Sequence, residues 1–163
     1  MQPSGTLEND GTTLVLTRTV EAPVQQVWAC LTRSEQLAKW YGSWSGDPRE
    51  GFVSVQMSDD QGSPPPIRHR ILAARPPRLL SVRTGMDEQE WMLTVQLSED
   101  DGRIRITLRQ ENFDPEALPS MGPGWEWYLD RLVAAVTDEQ MPTIDDFESD
   151  YMKLAGMYLT MVE

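Results

Sequence analysis

From Gly51 to Asn112 the sequence reads as strand after strand, and no other feature limits the fold so strongly. GFVSVQM, IRHRILAA, RLLSVRT, EWMLTVQLS and RIRITLRQEN are separated by SDDQGSPPP, RPP, GMDEQ and EDDG. Each break is short and carries Gly, Pro or Asp, so sequential strands pair antiparallel through turns. Alternation assigns the faces. Trp91, Leu93, Val95 and Leu97 share one side of the fourth of these strands, and in the fifth Ile104, Ile106 and Leu108 oppose Arg103, Arg105, Thr107 and Arg109. A sheet with one apolar face must bury it against a second layer.

The flanks supply that layer. TTLVLTRTV, residues 12 to 20, predicts one more strand, with Leu14, Leu16 and Val20 opposite Thr17 and Thr19. Pro23 suits a first helical position, and Val24, Val27, Trp28 and Leu31 then fall on one helical face. Thr32 and Glu35 have the spacing of a capping box for a short second helix ending near Gly42. KWYGSWSGDP, residues 39 to 48, has the Gly, Ser and Pro content of a loop. After FDPEALPSMGPG, the segment WEWYLDRLVAAVTDEQ places Trp125, Leu129, Leu132 and Val136 on one stripe, a helix fit to cover the sheet. From Thr143, with Asp146 three residues on, a last helix is expected with Phe147, Tyr151, Leu154 and Tyr158 along one side. The short connection before it favours docking on its own chain, as a lid or brace, over pairing in a homodimer. One domain over residues 1–163 is expected, with its core at about 12–137 and a helical extension at 143–163.

Charge narrows the partners. The formal net charge is -12, with 14 acids against 12 bases in residues 1–110 and 12 against 2 in residues 111–163. Such a chain repels phosphate backbones, so no nucleic-acid partner is expected. The polar, acidic N-terminus lacks the pattern of a signal peptide and no apolar run is long enough to span a membrane, so a cytoplasmic location without membrane contact is expected. The single Cys30 has no disulfide partner and reads as a small buried residue. Asp59 with Asp60, and Glu99 with Asp100 and Asp101, sit beside Gly where turns favour Asp, so no metal is expected there. Arg68, Arg70, Arg75, Arg78 and Arg83 form a basic run, which fits an anion patch or a counter-charge to the acidic C-terminal segment, within the chain or across a dimer.

Strand parity also selects candidate site residues. His69, the one histidine of the chain, shares parity with Ile67 and Ile71 and is expected on the apolar side. Gln110 and Asn112 continue the parity of Leu108, placing two amides toward one end of the same face. A mostly apolar hollow with a few converging polar groups is the usual character of a small-molecule site. Each of these residues equally fits a buried position satisfied by backbone or water.

The order strand, two short helices, antiparallel strands, long helix resembles the α+β helix-grip fold of the START-like (SRPBCC, Bet v 1-like) superfamily. Within it, RTVEAPVQQVWACLT resembles the opening motif of the activator of heat-shock protein 90 ATPase homologue family, in its C-terminal-domain-like branch. LAKWYG, PPRLL at 76 to 80, GRIRITL and GPGWEWYLDRL match in the same order, so the resemblance covers about residues 12 to 137. Arg83 departs from the aromatic residue expected of many relatives. The resemblance implies an apolar cavity between sheet and long helix, with Trp40, Tyr41 and Trp44 at its rim; Trp91 and Trp125 join the lining set. It implies a small hydrophobic ligand, no cofactor, and a monomer or homodimer. A cyclase- or dehydratase-like enzyme with His69 as general base is the alternative. Chaperone activation is a minor third reading, since co-chaperones of the family carry an additional N-terminal domain for which this length leaves no room.

Overall fold

A computed structural model of the chain describes residues 1–57, 64–86 and 89–162. The turn expected at Asp59 and Asp60 lies outside the described residues. Among those described, eight strands form one curved, open antiparallel sheet. They are β1 (Thr6–Glu8), β2 (Thr13–Val20), β3 (Gly42–Ser45), β4 (Phe52–Met57), β5 (Ile67–Arg75), β6 (Leu79–Met86), β7 (Gln89–Asp100) and β8 (Arg103–Glu111). Their spatial order is β1-β2-β8-β7-β6-β5-β4-β3. Between β2 and β3 run the helices α1 (Val24–Thr32) and α2 (Ser34–Leu37), and the long helix α3 (Leu118–Thr137) packs against the apolar face of the sheet. This is the helix-grip arrangement. No helix among the described residues is long and apolar enough to cross a membrane.

Two strands form where local sequence points elsewhere. Gly42 to Ser45, expected as loop, pairs with β4 from Gly42↔Met57 to Ser45↔Ser54, because backbone pairing on an open edge outweighs turn propensity. Gly42 is required there: a Cβ would sit 2.5 Å from the Gln56 carbonyl oxygen. The N-terminal β1 folds back on β2 through Asn9, Asp10 and Gly11, all at positive φ.

The helices also shift from expectation. Thr32 does not cap α2; it ends α1 and its hydroxyl donates to the Trp28 carbonyl at 2.8 Å, leaving Arg33 at the N-cap and a helix that stops at Leu37. Helix α3 begins at Leu118, seven residues before Trp125, with Pro119 in the first turn, where a missing N–H costs little. At the C-terminus one helix becomes three pieces: α4 (Ile144–Ser149), a 3-10 turn (Tyr151–Leu154) and α5 (Ala155–Thr160). The Thr143–Asp146 capping box forms with both of its bonds. The apolar stripe docks on α3 of its own chain, with Phe147 against the Trp127 ring and Tyr158 wholly buried.

A polar clasp fixes α3 from outside. The Glu126 carboxylate accepts from Ser4 N–H at 2.6 Å, Ser4 Oγ at 2.7 Å, Arg18 Nη2 at 2.6 Å and the Tyr158 hydroxyl. One turn on, Asp130 accepts from Arg18 Nε at 2.8 Å and the Tyr151 hydroxyl at 2.6 Å. Burial alone would raise the Glu126 pKa, but these donors outweigh it and hold the carboxyl below its ordinary value. The clasp therefore stabilises the fold at neutral pH and weakens as pH falls through the carboxylate range.

Within the chain and among the described residues, no ion pair joins the basic run of the sheet to the acidic C-terminal segment. Arg68 lies over the Phe52 ring, Arg78 pairs with Glu99 at 3.3 Å, and Arg83 approaches Glu90 at 4.0 Å. Arg83 is flanked by Val82 and Thr84, which turn inward, so its departure from the family pattern falls on the outer face. Among the described residues no cluster of His, Cys, Asp and Glu could hold a metal ion.

Gly122 decides how closely the C-terminal segment seats. A Cβ at this position would lie 2.6 Å from the Tyr158 ring. Gly→Ala in a helix normally gains up to about 1 kcal/mol, whereas forcing an atom into a packed site costs about 1–3 kcal/mol. Gly122→Ala is expected to lose stability in urea unfolding; a higher midpoint than the unmodified chain would contradict the packing described.

Candidate functional site

Curvature holds the middle of the sheet away from α3, and two hollows lie in the gap. The first, of about 340 Å³, is walled by aliphatic and aromatic side chains from α1, the α2–β3 segment and β4 to β8, among them Trp28, Trp40, Trp44, Val55, Val82 and Val95. The second, of about 650 Å³, lies toward the start of α3 and is more mixed, bounded by Pro66, Arg68, Thr84, Trp91, Ser120 and Tyr128. Tyr41, His69, Leu93 and Trp125 line both. These four residues form the shared wall.

His69 sits on β5 with its side chain inward, 5% exposed, as parity requires. Its Nδ1 is 3.1 Å from the Ile67 carbonyl oxygen and 3.3 Å from Thr84 Oγ1, and its Nε2 is 2.7 Å from the Tyr41 hydroxyl. A carbonyl can only accept, so the proton belongs on Nδ1 and Nε2 accepts from Tyr41. Burial dominates the titration: it lowers the His69 pKa, with the Ile67 bond pulling weakly the other way, and it raises the Tyr41 pKa far above the ordinary phenol value. Both groups are neutral near pH 7.

Aromatic rings fix Tyr41. Its ring stacks parallel to Trp125 at a centroid distance of 6.5 Å and meets His69 and Tyr128 edge-on, each at 5.7 Å. Trp125 Nε1 donates to Gln110 Oε1 at 2.6 Å, which satisfies both buried groups and pins α3 to β8. Arg131 donates to the carbonyls of Lys39 and Trp40 at 3.3 Å and of Pro142 at 2.7 Å, tying the aromatic segment to the far half of α3.

The sequence-selected residues are thus placed unevenly. Tyr41, Trp44, His69, Trp91 and Trp125 line one or both hollows. Trp40 does so too, yet it is also a core residue, 5% exposed, whose Nε1 donates to the Cys30 carbonyl at 2.8 Å. Gln110 is buried behind Trp125 and lines neither hollow. Asn112 is displaced from its expected place: at positive φ just beyond β8 it is exposed, and its amide donates to the Glu90 carbonyl. Cys30 is buried, which pushes its thiol pKa up. No residue of 143–162 lines either hollow, so the C-terminal segment braces α3 from behind and is not a lid. Thr84, Tyr128 and Arg131 carry positions of consequence that the sequence did not single out; Tyr128 follows Trp125 and Trp127 on α3 and was legible as part of an aromatic run.

The fold and site define a helix-grip domain with a divided apolar interior. The family model described as activator of Hsp90 ATPase homolog 1-like protein matches residues 21–137, and the chain belongs to that family. No curated protein sequence matches it significantly. Among solved structures, CalU16 from Micromonospora echinospora is similar with a TM-score of 0.71 and 22% identity, covering 98% of this chain and 94% of that one. A Bordetella parapertussis protein solved by NMR gives a TM-score of 0.74 and 22% identity over 96% of this chain and 90% of that one. DynU16, described as a putative protein in the dynemicin biosynthetic locus, gives 0.67 and 18% over 77% of this chain and 47% of that one. At these identities the likeness establishes the fold.

The depressed His69 pKa has a consequence for stability. The unfolded chain takes up a proton near pH 6.5 while the folded one resists it, so this residue's contribution is complete above that pH and is lost as pH falls toward the folded value. With one histidine, imidazole NMR reads a single residue: the Nδ1–H tautomer is expected to persist well below pH 6.5. A midpoint at or above the ordinary value would show that His69 is not held as described.

Proposed function

We propose that the chain is a binding module that takes an apolar or aromatic small molecule into the hollow between the sheet and α3. The first chamber carries this reading. Its wall is aliphatic and aromatic almost throughout, its volume lies in the range of small-molecule sites, and the Tyr41–His69 hydrogen bond supplies a polar group at its inner end. A domain that merely packed would fill such a space, since interiors approach crystal density. DynU16, which shares the fold and is described as a putative protein in the dynemicin biosynthetic locus, supports that context.

The orientation of His69 favours a second reading, a cyclase- or dehydratase-like enzyme. Its Nδ1–H is held by a carbonyl while Nε2 faces the hollow, the arrangement a neutral general base needs. Among the described residues the partners of the ring are Ile67, Thr84 and Tyr41, with no carboxylate, and Nε2 is occupied by Tyr41, so binding is the simpler function for the site.

One experiment addresses both. The protein is titrated with naphthalene, 1-naphthol and biphenyl, read by tryptophan fluorescence and melting temperature, and the 1-naphthol is then extracted and chromatographed. Trp28, Trp40, Trp44 and Trp125 line the first chamber, so binding must change emission, and mass action must raise the melting temperature. Micromolar binding with the compound returned unchanged is expected. No response from any of the three would overturn the proposal, and a converted product would shift it to the enzyme.

A further inference from the structure

The wall between the two hollows consists of Tyr41, His69, Leu93 and Trp125, and it contains one hydrogen bond that joins β5 to the α2–β3 segment. From the geometry of that wall we infer that the bond is the recognition element, and that the preferred ligand is elongated: two apolar or aromatic lobes, one per chamber, joined at a carbon bearing a hydroxyl. This rests on the cavity being a binding site and specifies what the site selects.

The hydrogen-bond inventory leads to the hydroxyl. In the unliganded wall the Tyr41 O–H donates to His69 Nε2, and Nδ1–H is already committed to Ile67. A guest that parts the two side chains removes the donor from Nε2 and the acceptor from Tyr41 at once. Leaving either unpaired in an apolar interior costs about 1–3 kcal/mol. A hydroxyl replaces both partners: its oxygen accepts from Tyr41 and its proton goes to Nε2, so the chain Tyr41–ligand–His69 has no loose end. A carbonyl repairs only half, because it accepts from Tyr41 and offers His69 nothing. An ether fails in the same way. A hydrocarbon repairs neither.

The surrounding groups fit a hinged wall. The Tyr41 ring lies parallel to Trp125 at a centroid distance of 6.5 Å, while His69 is anchored through Nδ1 to the Ile67 carbonyl on its own strand, so parting the bond moves Tyr41 along the Trp125 ring and leaves His69 on β5. The chambers differ as two lobes would require. The first is lined by aliphatic and indole surface and suits a plain hydrocarbon ring; the second, edged by Thr84 and Ser120, tolerates a substituted one.

The probes are 1,3-diphenylpropan-2-ol, 1,3-diphenylacetone and 1,3-diphenylpropane, which share a skeleton and differ at the central carbon. The alcohol is expected to bind about tenfold more tightly than the ketone, a difference of about 1.4 kcal/mol, and to displace naphthalene. In the His69→Leu protein the alcohol and ketone are expected to bind alike; in Tyr41→Phe, which keeps Nε2 as an acceptor, the preference for the alcohol should remain. Because a buried substitution can disturb folding, the unmodified protein supplies an independent readout: the His69 Nε2 resonance should move most with the ketone, which leaves it without a donor, less with the alcohol, which replaces the Tyr41 donor, and least with naphthalene, which leaves the Tyr41–His69 bond intact. Equal affinity for alcohol and ketone, an unmoved His69 resonance, or a preference that survives His69→Leu overturns the inference. If naphthalene binds in those cases, the cavity reading stands without it; if naphthalene fails to bind as well, both fall.

Discussion

Glu126 gathers four hydrogen bonds from three separate parts of the chain: the segment before β1, strand β2 and helix α5. Its neighbour Trp125 points the other way, donating to Gln110 on β8. These two adjacent residues hold α3 between its outer brace and the sheet, and the spacing of α3 from the sheet is what leaves a hollow. A buried carboxylate is costly unless every lone pair is used. Here the donors come from elements distant in sequence, so the cost is met only in the complete fold. Tyr158 can approach because Gly122 has no side chain, which explains a glycine in a helix that would otherwise favour alanine.

Within the hollow the balance is different. The first chamber is nearly all hydrocarbon and aromatic surface, and the few polar atoms that face it are committed to one another. Trp40 and Trp44 each turn their indole N–H to a backbone carbonyl of the α1 region, at Cys30 and Thr32, so their rings present only apolar surface inward. Tyr41 and His69 satisfy one another in the same manner, but both residues line the two hollows at once. That difference separates Trp40 and Trp44, whose polar atoms are turned away from the hollow, from the Tyr41–His69 pair.

Much of this arrangement was legible in the sequence, and its failures have physical causes. Period-two alternation placed Leu93, Leu97, Ile106, Leu108 and His69 inward, because burial on one face of a sheet fixes parity. Parity fails past Ile71, where the β5–β6 register shifts and Ala74, not Ala73, lines the cavity. It fails again at Asn112, where the strand ends in a positive-φ residue. The loop expected over residues 39–48 contains an edge strand because pairing with β4 is tertiary and leaves no mark on local composition. The Asn-Asp-Gly turn before β2 was a hairpin signal, but the three residues preceding it are too few to show alternation. The Glu126 clasp was invisible for a related reason: nothing in the sequence tells a buried carboxylate on an amphipathic helix from a solvated one until its partners are placed.

A guest can enter between the sheet and α3 only if the hollow is a real, dry space that the tryptophans do not close. Crystals of the protein pressurised with xenon test this directly, since apolar cavities of this kind take up the gas while staying free of water. Xenon is expected in the first chamber, beside Val55, Val82 and Leu93, with Tyr41 and His69 still hydrogen-bonded to one another. A chamber that takes no xenon because Trp40 or Trp125 fills it, or that holds a chain of ordered waters, would contradict the account.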